Sequence, residues 1–325
     1  MYCSIHHVTR FRYSGPVSES IMEVRTRPRT DGNQRCLAFE LAVQPRATIF
    51  TSRDALGNWI HHFDVPGGHQ QLTITSHAMV EIHPPPPLPD RLADGDSPEA
   101  IAAAWAAVAA AGREDMEMLV PSHFARPCPG LDALAAQLGL SHAEDPLPLL
   151  HRASQAIHLH FAYVPSSTQV DSPIDRALAS RQGVCQDFAH ILIALLRPLG
   201  IASRYVSGYL RHRDTDQSAE GATHAWVETL LPGLGWVGWD PTNNTIATEG
   251  HVRVALGRDY ADVPPTRGVF KGEAGSLLSV GVRVSPSDAP PPDEDLLAEI
   301  AEGTSSPAAI PSDAQQLHQQ QQQQQ

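Results

Sequence analysis

Over roughly the first eighty residues, apolar and polar positions alternate with a period of two. Residues 2–13, 20–27, 36–43, 48–53, 58–65 and 71–82 each read as a strand, and Asp31-Gly32-Asn33, Gly57-Asn58 and Gly67-Gly68 supply turns between them. Strand spacing of about ten residues predicts an all-β, sandwich-like amino-terminal domain over residues 1–83. Four consecutive prolines, Pro84 to Pro87, then enter neither a sheet interior nor a helix, so a domain boundary falls there. Residues 84–146 read as a proline-rich linker and helical segment. Ser97-Pro98-Glu99 has the form of an N-cap, a proline at N1 and an acidic first turn, opening an alanine-rich helix to residue 111. Further helices are expected over 131–138, 148–158 and 173–179.

A longer apolar helix, 184–199, stops at Gly200. Strands follow over 203–210, 223–230 and 236–241, with one more at 279–284. Helix, loop, helix and then strands make residues 147–284 an α+β core. Residues 285–325 are rich in Pro, Ser and Asp, end in seven glutamines, and are expected to be disordered.

Composition narrows the function classes. With 42% hydrophobic residues in 325, a core forms without metals or disulfides. Cys3, Cys36, Cys128 and Cys185 are scattered, with no CxxC pair and no zinc-type spacing. The net charge is −13, and neither the tail nor the body suits a phosphate polyanion, so nucleic acid is a poor partner. The start, MYCSIHHVTRFRYSG, lacks a signal-type apolar run, and no segment approaches a membrane span; a cytoplasmic location is the default expectation. Lys271 is the single lysine against 22 arginines, so the chain is a poor amine donor.

Three residues carry candidate chemistry. In Gly183-Val184-Cys185-Gln186-Asp187, a cysteine opens an apolar helix, where free backbone N–H groups and the helix dipole favour thiolate. Its own N–H is also placed to donate to an oxyanion. Alone, such a cysteine is more often an inert helix residue; a partner histidine decides. Thr223-His224-Ala225-Trp226-Val227-Glu228 places His224, Trp226 and Glu228 on one strand face. If the following hairpin loop is odd-numbered and centred on Gly233, Leu230 opposes Trp236, and Asp240 lies diagonal to His224 on that face. An even loop turns Asp240 away. Nucleophile, base and orienter would then be Cys185, His224 and Asp240.

Several blocks together resemble the transglutaminase-like superfamily core. They are Arg181-Gln182-Gly183-Val184-Cys185-Gln186-Asp187-Phe188-Ala189-His190, Pro198-Leu199-Gly200-Ile201-Ala202-Ser203-Arg204-Tyr205-Val206-Ser207-Gly208-Tyr209, His224-Ala225-Trp226-Val227-Glu228 and Trp236-Val237-Gly238-Trp239-Asp240-Pro241-Thr242. Asp54-Ala55-Leu56-Gly57-Asn58 and Gly257-Arg258-Asp259-Tyr260-Ala261-Asp262-Val263-Pro264-Pro265 extend the likeness to the bacterial members with an amino-terminal β domain. The resemblance implies a papain-like α+β core, with a helix-borne Cys packed on an antiparallel sheet. It also implies a Cys185-His224-Asp240 triad and acyl transfer at a peptide or protein amide, with no cofactor.

Hydrolysis, as in a peptidase or amidase, and transfer to an amine share that triad. A non-catalytic binding module is the third alternative. Trp226 either walls the cleft or packs in the core; Gln186 and Asp187 flank the nucleophile, and Tyr163 is a further candidate for substrate contact. No residue set has metal-ligand spacing: His158 with His160 and the adjacent His61 and His62 read as ordinary among 17 histidines.

Overall fold

The computed structural model describes residues 1–213, 216–218 and 221–287, which form two compact units. The expected disordered tail and its glutamine run lie outside the described residues from position 288 on.

The chain begins with β1 (Tyr2–Val24), β2 (Gln34–Gln44), β3 (Ile49–Arg53) and β4 (Trp59–Ile82). Along the first half of β1, Cys3, Ile5, His7, Thr9, Phe11 and Tyr13 point inward and their neighbours outward, as the two-residue period requires. The second unit follows, with α1 (Pro98–Ala111), α2 (Pro129–Leu138) and α3 (Pro146–His160). Next come a two-residue strand β5 (Ala162–Tyr163), α4 (Ile174–Ser180), β6 (Gln182–Gly183) and α5 (Cys185–Leu196). The strands β7 (Ser203–Leu210), β8 (His224–Leu231), β9 (Gly235–Asp240), β10 (Thr245–Ile246) and β11 (His251–Gly257) complete it. The chain then returns to the first sheet with β12 (Thr266–Lys271) and β13 (Ser276–Ser287).

The first unit is one continuous antiparallel sheet, β12-β1-β4-β2, with β13 also on β1 and β3 also on β4. Two pairs of expected strands are therefore single long ones. The stretch around Gly15-Pro16 shifts the register of β1 without ending it. Gly67, at φ +91°, bends β4 in the same way. Phe11, Leu72 and Ile74 from one half of these bent strands share a core with Met22, Val24, Phe63 and Val65 from the other.

Two boundaries also move. Residues 266–284, expected in the α+β core, pair with β1, as Val24↔Thr266 and Tyr13↔Ser276 show, and β13 runs on to Ser287. Residues 84–146, expected as a proline-rich linker and helical segment, carry those helices and are built into the second unit. The buried Asp145 carboxylate caps α3 through Leu147 N (2.9 Å) and also takes Ala93 N (2.6 Å) and Leu92 N (3.0 Å).

In the second unit α5 lies on a five-stranded antiparallel sheet, β10-β9-β8-β7-β11. Every residue of α5 is buried. Phe188, Ile191, Leu192 and Leu195 share one core with Tyr205 of β7 and Val227 of β8. Arg197, buried just past α5, donates to the carbonyls of Met118 (3.0 Å), Val120 (2.9 Å), Ser203 (2.9 Å) and Arg258 (2.6 Å). It clamps the helix end to three other segments, and burial pushes its guanidinium down to about 10 despite the charge of Asp259.

Candidate active site

Local rules place the cysteine. Val184 is extended (φ −125°, ψ 177°) and acts as the N-cap residue, so Cys185 is the first residue of α5 and its N–H has no intrahelical partner. The Asp187 carboxylate reaches back to Val184 N (2.9 Å) and accepts from Thr168 Oγ1 (2.6 Å). Burial raises the Asp187 carboxyl above its ordinary value against those two hydrogen bonds. Gly183 leaves room for this turn: a Cβ there would stand 3.0 Å from Asp187 and 3.2 Å from Phe188. Cys185 is 8% exposed, mostly covered but not sealed.

The hairpin between β8 and β9 has a three-residue loop, Pro232-Gly233-Leu234, and Leu230 pairs with Trp236. This is the odd register that brings the histidine and aspartate together. His224 Nε2 lies 2.8 Å from Asp240 Oδ2, both side chains being buried. Burial opposes a charged His224 ring, but the carboxylate's charge and hydrogen bond, with a further hydrogen bond and charge from Cys185, push it up to about 10. Asp240 engages Nε2 of His224, which leaves the buried Nδ1 as the ring nitrogen for the interaction with Cys185.

Asp240 is held from several sides. Its Oδ1 accepts from Thr242 N (3.0 Å) and Asn243 N (3.2 Å); its Oδ2 accepts from Asn243 Nδ2 (2.8 Å) and faces His251 Nε2 (3.1 Å). Burial alone would raise this carboxyl. The charge of His224 and the hydrogen bonds of His224 and His251 instead hold it far below the usual carboxylate range.

The other candidates from the sequence go elsewhere. Trp226 is fully buried, so it does not wall an open cleft. Its ring lies under the histidines, 6.0 Å from His224 and edge-on to His251 at 5.2 Å. Gln186 is buried and spends Nε2 on the Val170 carbonyl (2.9 Å), and Asp187 caps the helix, so both pin the segment around residues 168–170. Tyr163 is half-buried against Phe188, edge-on at 6.4 Å. The sequence reading missed His251, Asn243 and Tyr205. Tyr205 is buried, and its hydroxyl is raised well above its ordinary value, first by burial and then by the charge of Cys185. Nothing local separates His251 from sixteen other histidines; its role comes from β11 lying beside β7.

His224, Asp240 and His251 offer ligand atoms within 4.8 Å of one another, the one such group found among the described residues. They fit a hydrogen-bonded array better than a metal cage. Thr248 N donates to His251 Nδ1 (3.1 Å), which leaves the proton on Nε2, where a metal would need a lone pair.

A thiol at a helix start, a histidine and a buried carboxylate on the adjacent sheet define a papain-like α+β site. The chain belongs to the bacterial transglutaminase-like proteins: residues 3–81 match the bacterial transglutaminase-like N-terminal region, and residues 133–241 match the transglutaminase-like superfamily core. An uncharacterised protein of Mycobacterium tuberculosis H37Rv is 35% identical over 295 residues, covering 87% of this chain and 92% of the relative. A protein-glutamine gamma-glutamyltransferase of Pseudomonas aeruginosa is 32% identical over 124 residues, which is 35% of this chain and 18% of that protein. Among solved structures, a Cytophaga hutchinsonii protein provisionally called a cysteine protease shares the fold. Its TM-score is 0.65 at 22% identity, with 89% of this chain and 92% of the other covered.

Proposed function

We propose that the protein is a cysteine acyl-transfer enzyme that cleaves a peptide or isopeptide-like amide through a thioester on Cys185. The carrying observation is the buried pair of His224 and Asp240, with Nε2 2.8 Å from Oδ2, whose carboxylate charge favours the protonated ring. In the step proposed, the Cys185 proton already rests on His224, and the thiolate of this ion pair attacks the amide carbonyl carbon. The C–N bond breaks, and the departing amine takes the proton from His224. The acyl group remains on sulfur. Water then attacks the thioester with His224 taking its proton; the C–S bond breaks, the carboxylic acid leaves and the thiolate–imidazolium pair is restored. The Cys185 N–H, free at the helix start, is the oxyanion donor.

Transfer to an amine instead of water is the second reading, favoured by the partial likeness to the Pseudomonas glutamyltransferase. Mass spectrometry of a peptide-amide mixture incubated with the full chain and a primary amine tests both. Hydrolysed product alone supports the first reading, and amine adducts support the second. Absence of product together with unlabelled Cys185 overturns the enzyme reading in favour of a binding module.

A further inference from the structure

Asp240 receives two imidazoles on one oxygen, and only one of them belongs to the triad. His251, the first residue of β11, is buried, with Nε2 3.1 Å from Asp240 Oδ2. Its tautomer is set from behind. Thr248 N donates to Nδ1 (3.1 Å), and the turn that brings Thr248 there is closed by His251 N to Thr248 O (3.0 Å) and Gly250 N to Thr248 Oγ1 (3.2 Å). A ring that accepts at Nδ1 carries its proton on Nε2, aimed at the carboxylate. Two rings lie beside it: Trp226 at 5.2 Å in an edge-to-face arrangement and His224, tilted, at 6.2 Å.

We infer that His251 is a positioning residue for the Cys185 reaction: it donates permanently to Asp240 Oδ2 and thereby sets how much of that carboxylate's charge reaches His224. The inference rests on the reading of Cys185, His224 and Asp240 as the reacting set.

The two histidines have different duties at one oxygen. His224 must exchange a proton with sulfur and substrate during turnover. His251 cannot, because its Nδ1 faces a backbone N–H and has no route to the reaction. A second fixed donor therefore lowers the pull of Asp240 on the imidazolium, while keeping the carboxylate from turning away. Without it, more negative charge faces His224, which then holds its proton to higher pH. The groups that bear on this balance are His224, Asp240 and, beyond His224, Cys185. Asn243 and the Thr242 N–H are uncharged donors, and Arg213 donates to the Thr248 hydroxyl (3.2 Å).

The experiment is the pH profile, from 5 to 11, of Cys185 alkylation by iodoacetate, an anion whose approach is assisted by a charged His224. It is run on the full chain and on H251L and H251Q. Glutamine places an N–H near the site of Nε2; leucine does not. The expected result is an alkaline limb moved up by on the order of one pH unit in H251L, about tenfold in the protonated-to-neutral ratio of His224 at fixed pH, with H251Q at the wild-type position. A packing role alone would lower Tm in both variants without moving the limb. The inference is overturned if the folded H251L limb coincides with wild type, or if H251Q moves with H251L. Should H251L not fold, nitrogen NMR of histidine-labelled wild-type protein decides. His251, identified by its loss in H251Q, should carry its proton on Nε2 when the ring is neutral, and a neutral ring protonated at Nδ1 overturns the inference. If wild-type Cys185 reacts no faster than Cys36, the proposed function fails, and the NMR result still decides the placement of His251.

Discussion

Gly208→Ala puts the placement of Trp226 to a direct test. Gly208 sits in β7 opposite His224 of β8. A Cβ there would lie 2.2 Å from the Val252 carbonyl oxygen, 2.5 Å from Trp226 Cη2 and 2.8 Å from Cζ3. Neither neighbour can yield cheaply: one is backbone of the adjacent strand β11, and the other belongs to an indole with no exposed surface. Overpacking of a rigid site costs roughly 1–3 kcal/mol, and with two rigid partners the upper end, about 3 kcal/mol, is expected. If the unit of Pro84–Pro264 unfolds by itself, that is a fall in its Tm of about 6–12 °C. The ring that must move underlies both His224 and His251, so Cys185 alkylation at pH 7 should slow as well. Differential scanning calorimetry and peptide-mapped alkylation read the two effects. Gly68→Ala, where nothing lies within 4 Å, is the control and should change Tm little. A G208A protein with wild-type Tm and alkylation rate would refute the packing of Trp226 against Gly208.

Arg197→Met removes the donors to four backbone carbonyls and should cost about 4 kcal/mol, read from urea unfolding; a loss under about 1 kcal/mol would show those carbonyls find other partners. Burial pushes His7 and His61 down to about 4, so the unfolded chain takes up their protons first. Their contribution is complete above pH about 6.5 and drains away as pH falls through 4, roughly 3 kcal/mol for each ring; urea midpoints that do not fall between pH 7 and pH 4.5 would contradict this. His224 has the opposite sign: its pairing with Asp240 stabilises fully below pH about 6.5 and is lost as pH rises through about 10. In D240N the alkaline loss of stability between pH 8 and 10.5 should shrink, and an unchanged loss would place its origin in another group.

Much of the second unit was legible because its rules are local. Ser97-Pro98 opened α1, with Ser97 Oγ accepting from Ala100 N at 3.1 Å, and Gly200 stopped the helix segment at φ +78°. The parity of one loop, Pro232-Gly233-Leu234, was enough to bring Asp240 to His224. What was not legible depends on partners distant in sequence. β12 and β13 read as part of the nearer unit because nothing in an alternating strand says that its partner is β1, more than 240 residues earlier. Trp226 could wall a cleft or fill a core on its own strand pattern, and the missing side chain at Gly208 decides for the core. Gln186 and Asp187 follow Cys185 directly, yet their side chains are taken up by Val170 and by Val184 and Thr168.

The most direct measurement is competitive labelling of the intact chain with limiting iodoacetamide at pH 7, followed by peptide mapping of Cys185 and Cys36. Cys185 is mostly covered at 8% exposure and Cys36 is half-buried, so access alone favours Cys36. Faster labelling of Cys185, lost in H224A, is the expected result. Labelling of Cys185 no faster than Cys36, or unchanged in H224A, would contradict an activated sulfur at the start of α5.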